Sequence, residues 1–398
     1  MFRVFVANRL YEITSAFVND QLQSFMARVR PMKRAIAIGV TALGLGLLSG
    51  LAGSAQSPAA SVPKFAVDPS WPKPLPNNWV VGQVAGVAVD SRDHVWILHR
   101  PATLAGGRGA NAAPPKPGVP APPVIELDAA GTMLQAWGGP GAGYEWPANE
   151  HGLSVDSRNN VWVTGGGAKD AHVLKFSSAG KFLLQIGKQG QIGSNNDPTG
   201  LDRPTGAVVD PKTNEVYVTD GEVGGSHRRV IVFDADTGAY KRHWGAYGEK
   251  PIDGPATPYD PNAPISRQFG TATHCVRISR DDLVYICDRS NNRIQVFRKN
   301  GTFVKEGFVE KQTLGLGSIW DLELSPDEKF VYVGDGVNNK IWILLRDSLQ
   351  VVGSFAEGGS GPGQLSGVNA VARDSKGNLY TAEAANGSRA QKFAFKGF

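Results

Sequence analysis

The sequence predicts an all-β chain folded as a β-propeller of six four-stranded blades. Three observations carry this expectation. One short pattern returns six times, a second pair of β-prone runs follows nearly every copy, and no long amphipathic helix interrupts the repeat region. The copies are Val84–Arg100, Glu150–Gly166, Pro204–Gly221, Thr273–Arg289, Ile319–Gly336 and Val368–Ala384. Each holds a short apolar run, an Asp or Ser, a polar turn, a second apolar run and an acidic or Gly-rich end. The pairs that follow are Val124–Gly138, Val173–Gly187, Val230–Gly245, Ile294–Phe308 and Ile341–Phe355. Most carry a polar turn, often with Gly, between their two runs, which is a hairpin signal. A sandwich of about as many strands would not account for six registered copies.

The sixth outer pair is cut short, because the chain reaches Phe398 soon after Ala390–Phe395. A ring has to close, so Pro63–Val67 is expected to supply the missing outermost strand. Two segments break the rhythm: Pro101–Pro123, leaving blade one, and Ala246–Phe269, between blades three and four. Both read as long surface loops. They are either tolerated insertions or the walls of a pocket at one mouth of the channel.

Charge excludes one partner class. The formal net charge is +5, but residues 1–55 hold six basic side chains (Arg3, Arg9, Arg28, Arg30, Lys33, Arg34) against Glu12 and Asp20. The rest of the chain is therefore close to neutral and gives no electrostatic case for nucleic acid. The basic residues precede an apolar run at 35–48 and the small-residue stretch Ser49–Ser57, the layout of a secretory signal peptide cut after Ala55. The run is short for a membrane span, so no stable span is expected after cleavage; an uncleaved anchor is the alternative. Met32, directly before Lys33 and Arg34, could be the true start. The expected organisation is an extension and signal peptide at 1–55, a linker at 56–62 and the propeller at 63–398, exported to the periplasm or secreted. Cys275 and Cys287 fall on the first two strands of blade four. They either pair across that hairpin or remain buried thiols.

Aligning the blades yields the candidate site. Five residues before the mid-copy Asp or Ser stand Ala85, His151, Thr205, His274, Trp320 and Asn369. These begin the innermost strands, where blades crowd the axis. His151, His274 and Asn369 belong to blades two, four and six, so they should converge with pseudo-threefold symmetry. Three imidazoles can hold a catalytic metal with an open position; two imidazoles and an amide are a weaker version, and polar channel lining is the alternative. At the end of the second strand, Asp288 and Asp335 begin D-x-x-N-x-[RK]-[IV] turns, DRSNNRI and DGVNNKI, which read as structural glue. Arg100 occupies the matching region of blade one, just before the long insertion, and could hold a carboxylate or carbonyl oxygen.

Taken together, DSRDHVWILHR, EHGLSVD, YVTDG, THCVRIS and CDRSNNRIQVF resemble the bacterial NHL-repeat propellers related to peptidyl-α-hydroxyglycine α-amidating lyase, over roughly Lys64 to Phe398. The resemblance implies a six-bladed propeller with zinc held on the axis by three histidines, a structural calcium, and cleavage of a peptidyl-α-hydroxyglycine to amide and glyoxylate. It carries the functional Arg onto Arg100, zinc ligands onto His151 and His274, and a calcium-binding carbonyl onto Leu153. The sequence departs from the pattern at three places: Asn369 stands at the third zinc histidine, Ala370 at the acidic calcium ligand, and Glu222 at the catalytic Tyr.

Three functions follow. The first is metal-assisted lyase-type chemistry with zinc at His151 and His274, joined by Asn369 or water. In it Arg100 holds a substrate oxygen, and Glu222 acts as general base if its pKa is raised. The second is a non-enzymatic propeller that binds a small molecule, peptide or protein at one mouth. The third is a sugar-lactonase-like hydrolase, to which Asn369 and Thr205 lend support. No nucleophile elbow or Gly-rich phosphate loop stands in a suitable context.

Overall fold

The computed structural model describes residues 61–105, 117–384 and 386–398. The expected signal peptide and most of the linker lie outside the described residues, as does part of the insertion after blade one.

Six four-stranded sheets are present, as the repeat predicts. Blade one comprises Gln83–Val89, Val95–Arg100, Val124–Leu127 and Met133–Trp137. Blade two is Glu150–Val155, Val161–Gly165, His172–Phe176 and Phe182–Gly187; blade three is Pro204–Asp210, Glu215–Asp220, Arg229–Asp234 and Tyr240–Trp244. Blade four is Thr273–Ile278, Leu283–Asp288, Arg293–Arg298 and Phe303–Phe308; blade five is Asp321–Leu324, Phe330–Asp335, Lys340–Leu345 and Val351–Phe355. Blade six takes Val368–Arg373, Leu379–Glu383 and Arg389–Phe395 from the C-terminal end and Phe65–Val67 from the start. That last strand runs antiparallel with Phe65 opposite Phe395 and Val67 opposite Phe393. Phe65 also stacks on Phe355 of blade five at 4.8 Å, so closure is packed as well as hydrogen-bonded.

The repeated Asp or Ser turns the first strand into the second. Asp90 Oδ1 accepts from the amides of Arg92 and His94, and Asp156 Oδ1 accepts from those of Arg158 and Asn160. Ser279 and Ser325 do the same work by accepting from the amides of Leu283 and Phe330. Three residues after each, the chain turns through the left-handed region, at Asp93, Asn159, Asp282 and Glu328.

Large apolar side chains fill the seams between blades. Trp96 and Trp162 are buried, and Phe297 packs with Trp244 and Phe269 between blades three and four. Each such burial contributes about 1.5–3 kcal/mol. The D-x-x-N-x-R turn is glue, as read from the sequence. Asp288 accepts from the amide of Gly270, the amide group of Asn291 and Nε of the fully buried Arg293.

Cys275 and Cys287 are joined in a disulfide directly across the first two strands of blade four. The first insertion is not entirely coil. Pro101–Ala105 forms a 3-10 turn, and Val119–Pro120 pairs in parallel with Trp79–Val80. The second insertion encloses a cavity of about 340 Å³ with Asn291, Phe308 and Lys311 of blade four. It shares no lining residue with the central channel, so it walls a hollow beside the axis rather than on it.

Candidate active site on the propeller axis

The residues that the blade alignment places at the axis get there through a local defect in the ladder. The pairing of first and second strands slips between Val84 and Gly86, Glu150 and Leu153, Pro204 and Gly206, Thr273 and Cys275, and Val368 and Ala370. The residue skipped in each case is, or includes, Ala85, His151, Thr205, His274 and Asn369. A β-bulge leaves its extra residue unpaired and re-aims its side chain. All five line one channel cavity, together with Leu153, Arg277, Asp321 and Ala370.

His151 and His274 sit with ring centroids 4.8 Å apart. Each is anchored by a carbonyl of the next blade. His151 Nδ1 lies 3.1 Å from the Thr205 oxygen, and His274 Nδ1 bonds the Trp320 oxygen. A carbonyl only accepts, so Nδ1 carries a proton in both rings and Nε2 is the nitrogen turned inward. Burial, with Arg289 nearby, holds the His274 imidazole well below its usual pKa.

Both Nε2 atoms face Glu222. His151 Nε2 lies 3.0 Å and His274 Nε2 3.5 Å from Glu222 Oε2. Glu222 reaches this point because Gly221, at φ +131°, turns the chain where a Cβ would lie 1.8 Å from the His227 carbonyl oxygen. Gly166 leaves the room: a Cβ there would meet His151 Cδ2 at 3.0 Å and Glu222 Cγ at 3.4 Å. The other carboxylate oxygen, Oε1, accepts from Arg289 Nη2 at 3.0 Å. Arg289 is fixed by the Leu316 carbonyl and by stacking over Trp320 at 4.4 Å. Burial alone would push the Glu222 carboxyl up. Arg289 leads the contributions that offset it, and the group stays well below the usual carboxylate range. The raised pKa that a general base would need is therefore not what this environment produces.

Arg100 is held by the Glu150 carbonyl through Nε at 2.7 Å and by Gln83 through Nη1 at 3.1 Å. Burial lowers its pKa against the pull of Glu222 and Glu150, so it shares the electrostatic surroundings of the site. Asn369 reaches the channel, but its Nδ2 donates to the Ala85 carbonyl at 2.6 Å, which ties the amide to the wall. The Thr205 hydroxyl is spent on the Thr273 carbonyl at 2.6 Å, which removes the support it lent to a lactonase-like ligand set.

The residues present fit a divalent metal at the channel mouth. Glu222 Oε2 and His274 Nε2 are buried without a hydrogen-bond partner, and His151, Glu222 and His274 offer ligand atoms within 4.8 Å of one another. They do not fit a calcium ion beside Leu153. Ala370 brings no side-chain oxygen, and the Asp321 carboxylate is committed to Arg277 at 2.9 Å and to the Val371 amide. A guanidinium already supplies positive charge at that level of the channel.

Sequence reasoning missed Arg289. Arg289 ends the blade-four copy as Arg100 ends that of blade one, and that equivalence was the available signal. The contact of Glu222 with both imidazoles was also unread.

Comparison with known proteins agrees with the repeat. The NHL repeat family matches residues 274–297. The peptidylglycine alpha-amidating monooxygenase of Rattus norvegicus is 28% identical over 237 residues, 56% of this chain and 22% of that protein. NHL repeat-containing protein 3 of Homo sapiens is 28% identical over 254 residues, covering 61% of this chain and 62% of the relative. Peptidyl-alpha-hydroxyglycine alpha-amidating lyase 1 of Drosophila melanogaster is 26% identical over 251 residues, 59% of this chain and 40% of that lyase. The match thus spans under two thirds of each relative's length. A streptogramin B lyase structure superposes with a TM-score of 0.49 at 13% identity, covering 79% of this chain and 94% of that one. The chain is a six-bladed β-propeller that matches the NHL repeat at residues 274–297 and is similar in sequence to the peptidyl-α-hydroxyglycine amidating enzymes.

Proposed function

We propose that this propeller is an exported, metal-assisted enzyme of the lyase type, acting at the channel mouth on a small or peptide substrate that carries a carboxylate. One observation carries the reading: His151, Glu222 and His274 aim ligand atoms at one point on the axis, and two of these atoms, Glu222 Oε2 and His274 Nε2, are buried without a hydrogen-bond partner. A divalent metal there would supply Lewis acidity toward a substrate oxygen. The chain's own groups do the rest. Nδ1 anchoring fixes both imidazole planes, and Arg289 keeps Glu222 ionised. Arg100, already clamped through Nε and Nη1, has Nη2 free of hydrogen bonds among the described residues and can receive a substrate carboxylate. Export is supported by the basic, apolar and small-residue layout of residues 1–55 and by the disulfide, which suits an oxidising compartment.

The test is direct. Untagged protein recovered from the periplasm or medium, beginning near Gln56, is expected to carry close to one divalent metal per chain and to release glyoxylate from a peptidyl-α-hydroxyglycine. Accumulation only inside the cell would refute export. Metal-free protein that leaves the substrate intact would overturn the enzyme and leave a ligand-binding propeller.

A further inference from the structure

Two imidazole Nε2 atoms and one carboxylate oxygen meet at the channel mouth, and no single hydrogen can satisfy all three. We propose that Glu222, rather than Asn369, is the third protein ligand of a divalent metal of the zinc class, through Oε2, with His151 Nε2 and His274 Nε2 as the other two. The inference rests on the metal-assisted reading above and names the ligand set of that site.

Spacing is the first argument. Tetrahedral zinc with bonds of about 2.0–2.1 Å sets its ligand atoms about 3.3 Å apart. The Glu222 oxygen lies 3.0 Å from one imidazole nitrogen and 3.5 Å from the other. The second argument is protonation. With both Nδ1 atoms donating to carbonyls, a ring that carries no second proton has only a lone pair to offer Oε2. A lone pair against a carboxylate oxygen is repulsive unless a cation lies between them. One added proton could rescue the His151 pair, but it would leave His274 Nε2 buried and unpartnered. A metal ion answers all three atoms at once.

The third argument is support. A ligating carboxylate is ordinarily held by an outer partner. Here Arg289 takes Oε1 at 3.0 Å and is itself braced by the Leu316 carbonyl and the Trp320 ring. Arg289 is a positioning residue in this scheme. Asn369 lacks these features: its amide is turned to the Ala85 carbonyl, and an amide is a poor zinc donor. Two histidines and one glutamate leave a fourth position open, the arrangement of a catalytic rather than a structural zinc site.

The experiment measures Zn2+ affinity of the untagged chain by competition with a chromophoric chelator. The visible spectrum of the Co2+-loaded protein reads ligand identity, and thermal unfolding controls for folding. Loss of an outer partner alone costs about 10–100-fold in metal affinity, so Glu222→Gln is expected to lose at least about 100-fold. Glu222→Asp is expected to retain intermediate affinity with an altered Co2+ spectrum. Asn369→Ala is expected to stay within about threefold of the parent, with its spectrum unchanged. The proposal is overturned if Glu222→Gln keeps parental affinity while His151→Ala loses it; the metal-assisted reading would then survive without Glu222. If Asn369→Ala loses the metal and Glu222→Asp does not, the amide is the ligand. An unmodified chain that takes up no Zn2+ or Co2+ sinks both this inference and the reading beneath it.

Discussion

Asp288, fully buried, and Glu222, with its side chain 13% exposed, are both acidic side chains that contact an arginine. Their surroundings differ in completeness. Asp288 receives a backbone amide, an asparagine amide and the guanidinium of Arg293, so both its oxygens are satisfied. Glu222 has one oxygen on Arg289 and the other aimed at two imidazoles, with no hydrogen bond. A buried polar group normally finds its partners, because leaving one unmade costs about 1–3 kcal/mol. The carboxylate that closes its shell belongs to the scaffold, and the one that leaves it open belongs to the site.

Three measurements can break or sharpen that contrast. The largest effect is expected from Asp288→Ala, which strands the fully buried Arg293 guanidinium. Removing one partner of such a pair costs about 3–5 kcal/mol, read as a lower denaturation midpoint. A loss below about 1 kcal/mol would mean that the Asp288 shell is not structural.

Replacing both cysteines, Cys275→Ser with Cys287→Ser, comes next. It should cost about 3 kcal/mol for opening the short cross-link. His274 stays anchored on the Trp320 carbonyl, so Zn2+ affinity should move by less than about threefold against the expected hundredfold loss for a missing ligand. A metal affinity that collapses with the disulfide would tie the site to the blade-four scaffold and blur the distinction.

The smallest stability change is expected from Glu222→Gln in metal-free protein. The substitution removes a charge whose second oxygen has no partner, so unfolding stability should stay within about 1 kcal/mol of the parent. A loss of several kcal/mol would place Glu222 beside Asp288 as glue.

Much of this was legible in the sequence. Six registered copies fix the blade count, and the truncated last copy calls for an N-terminal closing strand, which pairs as Phe65 opposite Phe395. His151 and His274 were found by counting along blades, because repeat proteins place equivalent residues at equivalent depths. Asn369 shows the limit of that count. Equivalence gives a position on the axis, but the Ala85 carbonyl, 284 residues away in sequence, decides where the amide points. Glu222 was a candidate from the sequence, but its meeting with Arg289 and the two imidazoles was hidden for a related reason. Glu222 and Arg289 lie on loops of blades three and four, and only the turn at Gly221 and the brace at Leu316 bring their side chains together.

The slipped pairing on five inner strands carries one more consequence. Because the skipped residue takes no part in the strand ladder, its side chain can be exchanged without altering a cross-strand partner. Ala, His, Thr, His and Asn occupy the five places here on the same backbone plan. The axis thus behaves as a set of interchangeable sockets. A designer could fit new donor atoms at Ala85 or Asn369 and change what the channel holds while the blades stay as they are.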